Sequence, residues 1–379
     1  MNISFLTSGH YPYDDRIFFH LGKSLSEAGH KVEIVSSKSG TKEVTQGISI
    51  NCFEGDNLSK REKIKRFIEY LSNFNPEIII CSEPLPLLPA KQFKLKRNRN
   101  VKILYDITEW HPSAENLSAI KGPKKFYIFL KLLLFNLFSS SFTDGFIFGE
   151  WHKSKPYRLF FPFKPFVFIT YYPDLNYISQ IEPAMLPDKL CLVYSGKISI
   201  DKGFRNFMNV VSGLPLKYKD LQIYVKIIGW YESEHDKTEC QQILENASKN
   251  ISCSFTGRLS FNDFIGQLKD TDIFLDLRTD NFENRYSLLI KIFYYAALGR
   301  PVIYFDSVAI RANVEIAKFG FLVKPDDSGQ IIKIISDYLE NNNLYAEHCR
   351  NARKLAEEKY NWQKISPEFL RFIESLIIR

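Results

Sequence analysis

Cysteine is scarce in this 379-residue chain, with six residues at positions 52, 81, 191, 240, 253 and 349 and neither a CxxC pair nor a metal-ligand spacing among them. That scatter excludes a disulfide framework or zinc ribbon and reads as reduced thiols in a cytosolic core. A membrane-spanning run is also missing. The most lipid-like stretch, "KKFYIFLKLLLFNLF" at 124–138, is broken by Lys131 and falls short of the roughly 20 apolar residues a span requires. The amino end, "MNISFLTSGHYP", has no basic leader and reads as a first strand, not a signal peptide. No GxGxxG fingerprint occurs, and no helix-turn-helix, zinc or aromatic-stacking module points to nucleic acid.

What is present is a globular composition, 45% apolar and 25% charged, with 32 Phe and 20 Tyr. The length suits two ordinary domains better than one core. Charge is unevenly placed: residues 1–172 carry 24 Lys and Arg against 16 Asp and Glu, and the remainder 26 against 27. The basic groups cluster at 60–66, 91–102 and 121–125. Such runs are either solvated helix faces or a surface for anionic lipid, where each cation contributes about 1 kcal/mol. Lysines directly beside the apolar 126–138 run form an interfacial pattern. The expectation is peripheral contact with an anionic membrane through the basic amino-terminal half, at the cytoplasmic face.

Short, nearly continuous apolar runs alternate with helical patterns along the whole chain. The first series is 2–8, 31–37, 77–83, 101–108, 145–150 and 166–170; the second is 190–196, 221–229, 251–257, 272–278 and 301–306. Continuous Ile, Val and Phe suit strands covered on both faces. Helical segments fill the gaps, several with clear starts such as Ser260 before "FNDFIGQLKD". The expected fold class is α/β, with two Rossmann-like, doubly wound parallel-sheet domains facing each other across a cleft. The boundaries read as 1–172, a linker at 173–189, a second domain at 190–359 and a terminal helix at 360–379.

In open α/β sheets ligands bind beyond the carboxyl ends of the strands, so candidate chemistry lies in the strand-end loops. After the first strand, Gly9 permits close backbone approach and Asp14 stands at a helix N-cap. After the fourth, "YDITEWHP" sets Asp106, Glu109 and His111 just past a strand end, where the acids could orient an acceptor hydroxyl or act as a base. In the second domain "YSGKISIDKGF" places Lys197 and Lys202 beside Gly196 and Gly203, a pairing suited to a diphosphate; Gly229 closes the next strand. The segment "NRYSLLIKIFYYAALGRPVIYF" reads as loop, helix, turn and strand, with Ser287 as N-cap. The backbone N–H groups of Leu288, Leu289 and Ile290 would then form an anion site. Lys291 is that helix's single charge and Tyr294 and Tyr295 sit in its middle.

These motifs together resemble the GT-B glycosyltransferases, in particular glycosyltransferase family 4, retaining enzymes that use nucleotide-sugar donors. "LTSGHYPYDDRIFFHLGKSLSEAGHKVEIVSS" is similar to their first βαβ unit, and "VYSGKISIDKGF" to their GR…KG loop with Lys197 for the usual Arg. "KIFYYAALGRPVI" resembles K-F-E-Y-x-A-x-G-x-P-V-I, and "KYNWQKI" their Y-x-W segment. The resemblance implies that Lys197 and Lys202 stabilise a departing diphosphate, and that the second domain holds a UDP- or GDP-linked sugar. The acceptor would lie near Gly9 and the 106–111 loop, no metal or other cofactor would be needed, and the last helix would cross back to the first domain. Two positions depart from the pattern: Tyr294 replaces a ribose-binding Glu, and Thr108 a His placed near the donor sugar. The leading expectation is a transferase acting on a glycan or lipid-linked oligosaccharide acceptor in bacterial-type surface polysaccharide synthesis. A catalytically inactive scaffold or partner subunit is the alternative, and sugar-nucleotide epimerisation a minor third.

Overall fold

The computed structural model describes every residue except 110, 114–116, 118, 119, 121, 183–187, 232, 247–250, 378 and 379. Parts of the 106–117 loop, of the 121–125 basic cluster and of the 173–189 stretch therefore lie outside the described residues. The chain divides into two units, Met1–Tyr171 with Trp362–Arg379, and Tyr172–Asn361.

In the first unit, β1 (Asn2–Thr7), β2 (Lys31–Ser36), β3 (Lys42–Thr45), β4 (Ile48–Asn51), β5 (Ile78–Cys81), β6 (Lys102–Ile107), β7 (Gly145–Phe148) and β8 (Phe166–Phe168) form one sheet among the described residues. Its order is β3-β4-β2-β1-β5-β6-β7-β8, parallel throughout except for the β3–β4 hairpin. Strands without alternation need cover on both faces, and both are covered. One face packs Ile3, Phe5 and Ile34 against the 15–27 helix and against Trp362, Phe369 and Ile373 of the helix Trp362–Ser375. The other packs Leu6, Ile79 and Phe146 with Phe67, Phe93 and Tyr157 of three further helices. The terminal helix is anchored by the Trp362 indole, which donates to Ser24 Oγ at 2.7 Å.

The second unit repeats the plan with β9 (Lys189–Ile198), β10 (Gln222–Tyr231), β11 (Ile251–Phe255), β12 (Ile273–Asp276), β13 (Val302–Phe305) and β14 (Gly320–Val323). The order is β11-β10-β9-β12-β13-β14, with all pairs parallel. The stretch expected to be a linker is partly built into this unit. Ile178 is fully buried against Phe293 and Ala297 in its core, because Arg353 holds the backbone carbonyls of Ile178 and Ala297 at 3.0 and 2.6 Å. The hairpin β3–β4 and strand β14 carry no strong sequence signal. "KEVT" is an exposed edge strand, and "GFLV" is four residues opened by a glycine.

Candidate functional site

Each sheet has one place where strand order reverses: between β1 and β5 in the first, and between β9 and β12 in the second. That is where a ligand crevice opens in such sheets.

In the second unit β9 and β10 end as a matched pair, with Gly196 opposite Gly229 and Lys197 opposite Trp230. A Cβ at Gly229 would stand 1.8 Å from the Gly196 carbonyl oxygen, so only glycine allows this approach. Gly196 has φ +105°, and a Cβ there would lie 2.7 Å from the Lys291 ammonium. The next turn brings Lys202 to Gly203 (φ +85°), whose bare α-carbon lets the turn settle on the Leu277 carbonyl at the end of β12. Asp201 fixes the turn. Its carboxylate accepts from Thr279 Oγ1 and Asn281 Nδ2, both at 2.9 Å, and the Thr279 hydroxyl also reaches its carbonyl at 2.8 Å. Buried Asn284 bridges the Asp201 and Thr279 carbonyls.

Arg278 follows β12. Its Nε donates to Asp276 Oδ1 at 3.2 Å, and Tyr304 donates to the other oxygen, also at 3.2 Å. Burial works against the guanidinium's charge, but Asp276 and the surrounding phenols hold its pKa above the usual value. Lys291 donates to the Ser195 carbonyl. Burial first, then Arg278 and Lys202, push its pKa down to about 7 against the pull of Asp276. Tyr295, whose ring stacks on Phe274 at 3.8 Å, hydrogen-bonds Ser195 Oγ at 2.9 Å and braces the strand carrying that carbonyl. Two loops and one helix thus bring Lys202, Arg278 and Lys291 to one strand end, with Lys197 emerging from β9 alongside. Trp230, opposite Lys197, is capped by the Arg258 guanidinium at 3.9 Å.

The sequence puts Gly196, Lys197 and Lys202 at this strand end and names Gly229 and Lys291 as donor-binding candidates elsewhere; the structure brings Gly229 and Lys291 against Gly196. Sequence reasoning missed Arg278, Asp201 and Asn284; an Arg two residues beyond the run "DIFLD" was the available signal. The anion site at Ser287 is corrected. The helix spans Lys291–Ala297 and Ser287 is the extended residue closing the short helix Phe282–Tyr286. Leu288 is drawn into the core, residues 287–289 lie outside any helix and Ile290 stands directly before Lys291, so the N–H groups of Leu288 and Leu289 do not open a helix. Tyr294 is 2% exposed with its ring edge against Phe261 at 6.0 Å. It is packed in the core, not presented to a ligand.

In the first unit the strand-end cluster is acidic. Glu83, beyond β5, accepts from the Thr7 hydroxyl at 2.7 Å and from the Ser8 and Gly9 N–H groups at 2.8 and 3.1 Å. The His10 ring lies 3.1 Å from Asp14 Oδ2 and 3.5 Å from Glu83 Oε1. Burial lowers the His10 pKa, but Asp14, Glu83 and Glu109 overcome it and raise it to about 10. Asp14 caps the first helix through the N–H groups of Arg16 and Ile17, and its pKa is lowered by His10 and those N–H groups in spite of burial.

Asp106, expected as a catalytic acid, is corrected. It is 1% exposed and held bidentately by Arg16, both contacts at 2.7 Å, with the third Arg16 nitrogen on the Ile169 carbonyl. A buried carboxylate paired on both oxygens with a guanidinium is a tie between the first helix and β6, not an exposed strand-end acid. Glu109 is exposed beside this cluster, and the Thr108 carbonyl accepts from buried Lys153 at 2.6 Å. Five of the six cysteines are buried and Cys253 is exposed. Among the described residues no three His, Cys, Asp or Glu side chains group as metal ligands, and no helix is long and apolar enough to cross a membrane.

Two parallel α/β units of this kind define the GT-B fold of glycosyltransferases. Sucrose-phosphate synthase from Thermosynechococcus elongatus superposes with a TM-score of 0.74 at 14% identity, over 100% of this chain and 99% of that one. Anabaena HepE in complex with UDP-glucose superposes with a TM-score of 0.72 at 13% identity, over 99% and 100%. The catalytic domain of Arabidopsis thaliana starch synthase IV, bound to ADP and acarbose, gives 0.67 at 11% identity over 100% and 99%. At the level of family, residues 189–341 match the family described as "Glycosyl transferases group 1". An uncharacterized glycosyltransferase of Methanocaldococcus jannaschii is 27% identical over 189 residues, half of this chain and 45% of that relative's length.

Proposed function

We propose that this chain is a retaining glycosyltransferase that moves a sugar from a nucleoside-diphosphate sugar to a hydroxyl of a glycan or lipid-linked oligosaccharide, at the cytoplasmic face of a membrane. The observation that carries the reading is the cationic strand end of the second unit, where Lys202, Arg278 and Lys291 meet beside two glycines. A diphosphate is the ligand whose charge fits it. In the proposed step the bond from sugar C1 to the diphosphate oxygen breaks, and the acceptor oxygen bonds to C1 on the same face. The acceptor proton passes to a departing phosphate oxygen. Lys197, Lys202 and Arg278 offset the charge that develops on that phosphate, so the reaction is written without a metal or other cofactor. HepE bound to UDP-glucose supports a uridine donor ahead of a guanosine one. The acidic cluster around His10 and Glu83, with Glu109, is the proposed place of the acceptor hydroxyl. Surface polysaccharide synthesis is the process this acceptor class suggests.

One observation favours a second reading, a non-catalytic scaffold. Tyr294 stands where a ribose-binding carboxylate is expected and is closed into the core. Thermal stability against UDP, GDP, ADP, CMP and their common sugars separates the two. A nucleotide that binds the folded chain raises stability by about 2.7 kcal/mol at a hundredfold excess over its dissociation constant. A shift with one nucleotide supports the transferase, and no shift with any of them supports the scaffold.

A further inference from the structure

The first unit presents a large apolar face. On the helix Pro123–Ser140, Phe126 is 71%, Tyr127 64%, Leu134 57% and Phe138 60% exposed. Beside it, Leu159 in the helix Trp151–Phe160 is 77% exposed and Phe163, just after that helix, 97%. An apolar surface of this extent marks an interaction site on a protein otherwise well packed.

The two segments are tied together. Asn136 donates to the Tyr157 hydroxyl at 2.8 Å between the helices. Lys164 donates to the carbonyls of Ser140, Ser141 and Thr143 at 2.9, 2.9 and 2.6 Å. That latch holds the turn "PFKP" against the end of the first helix, so Phe163 projects from a fixed base between Pro162 and Pro165. The exposed charges of the two segments are basic. Residues 122–143 and 151–173 hold seven Lys and Arg and no Asp or Glu; of these, Lys153 is buried with Glu150 and does not reach the surface. Lys124, Lys125, Lys131 and Lys155 are exposed, and the Arg158 guanidinium lies over the Trp151 and Phe166 rings at 4.4 and 4.9 Å.

We infer that this face docks on the surface of an anionic lipid bilayer, with Phe126 and Phe163 entering the headgroup–acyl boundary and the lysines contacting phosphate headgroups. Aromatic and aliphatic groups interleaved with cations are what an interfacial surface requires. An anionic bilayer offers apolar depth and phosphate headgroups together, the two environments these side chains match. Where it makes the acceptor lipid-borne, the inference rests on the transferase reading; the docking itself does not.

The test is cosedimentation of the full chain with phosphatidylcholine vesicles, with and without about one-third phosphatidylglycerol. The expected result is binding at least about tenfold tighter to the anionic vesicles, with a blue shift of tryptophan fluorescence from Trp151. Phe126→Ser with Phe163→Ser, and separately Lys124→Glu with Lys125→Glu, should each abolish sedimentation while leaving thermal stability and UDP binding unchanged. No sedimentation with either vesicle overturns the inference. So does self-association in sedimentation velocity that the Phe163→Ser variant removes, since a second copy would then cover the face. Vesicle binding without any response to nucleotides would retain this inference and discard the transferase reading.

Discussion

The two strand-order reversals share one topology and carry opposite charge. After β1 and β5 the side chains are Asp14 and Glu83 around His10, with Glu109 and His111 joining them from beyond β6. After β9 and β12 they are Lys197, Lys202 and Arg278, with Lys291 behind them. The backbone devices match as well: a carboxylate, Glu83 or Asp201, fastens the first loop in each case by accepting from its neighbours. The two sheets thus share the topology of their strand ends, while a handful of loop residues sets the charge at each.

The comparison breaks most completely where the second site depends on bare backbone. Gly229→Ala forces a methyl group onto the Gly196 carbonyl, and neither strand can yield without losing the pair. The expected cost is about 3 kcal/mol or more, seen as a drop of about 6–10 °C in the melting temperature; an unchanged melt would mean that the strands separate freely there. Next in size, Asp201→Ala releases the turn that presents Lys202. It should weaken nucleotide binding about tenfold, roughly the loss of one charge-assisted anchor, with little change in melting temperature. Equal losses in affinity and stability would make Asp201 a general structural residue instead.

Protons separate the two sites further. Lys291 has a folded pKa of about 7 against an ordinary 10.5, so its ammonium form opposes folding, and stability falls as pH drops from the higher value to the lower. A bound diphosphate favours the charged amine, so binding between these values should take up a proton. Calorimetry in two buffers of different ionisation enthalpy measures it, and Lys291→Met should remove the uptake. His10 runs the other way. Its pKa is raised from 6.5 to about 10, so its contribution to stability is complete below 6.5 and gone above 10. The smallest expected effect is that His10→Gln and the unsubstituted chain differ at neutral pH and converge above pH 10, by denaturant titration at each pH.

Much of this was legible because apolar runs and glycine-lysine turns report locally. The repeated strand rhythm yields both sheets, and "SGKISIDKGF" yields Lys197 and Lys202 with the glycines beside them. What stayed hidden depends on distant partners. Asp106 looks like a free strand-end acid until Arg16, ninety residues earlier in sequence, occupies both its oxygens. Ser287 has the residue type of a helix cap, but the burial of Leu288 shifts the helix start to Lys291. Arg278 and Glu83 follow apolar strands as ordinary charged residues, and only sheet order reveals that they face the first loop of their own unit. Tyr294 departs from the family pattern in a way the sequence displays, while its burial is a property of the packing.

The most direct test of the central claim is calorimetric titration of the full chain with UDP, repeated on Lys202→Ala. A cationic diphosphate site at the end of β9 predicts saturable binding to the unsubstituted chain and a loss of about a hundredfold in affinity, or about 2.7 kcal/mol, in the variant. Equal binding by both proteins would contradict it.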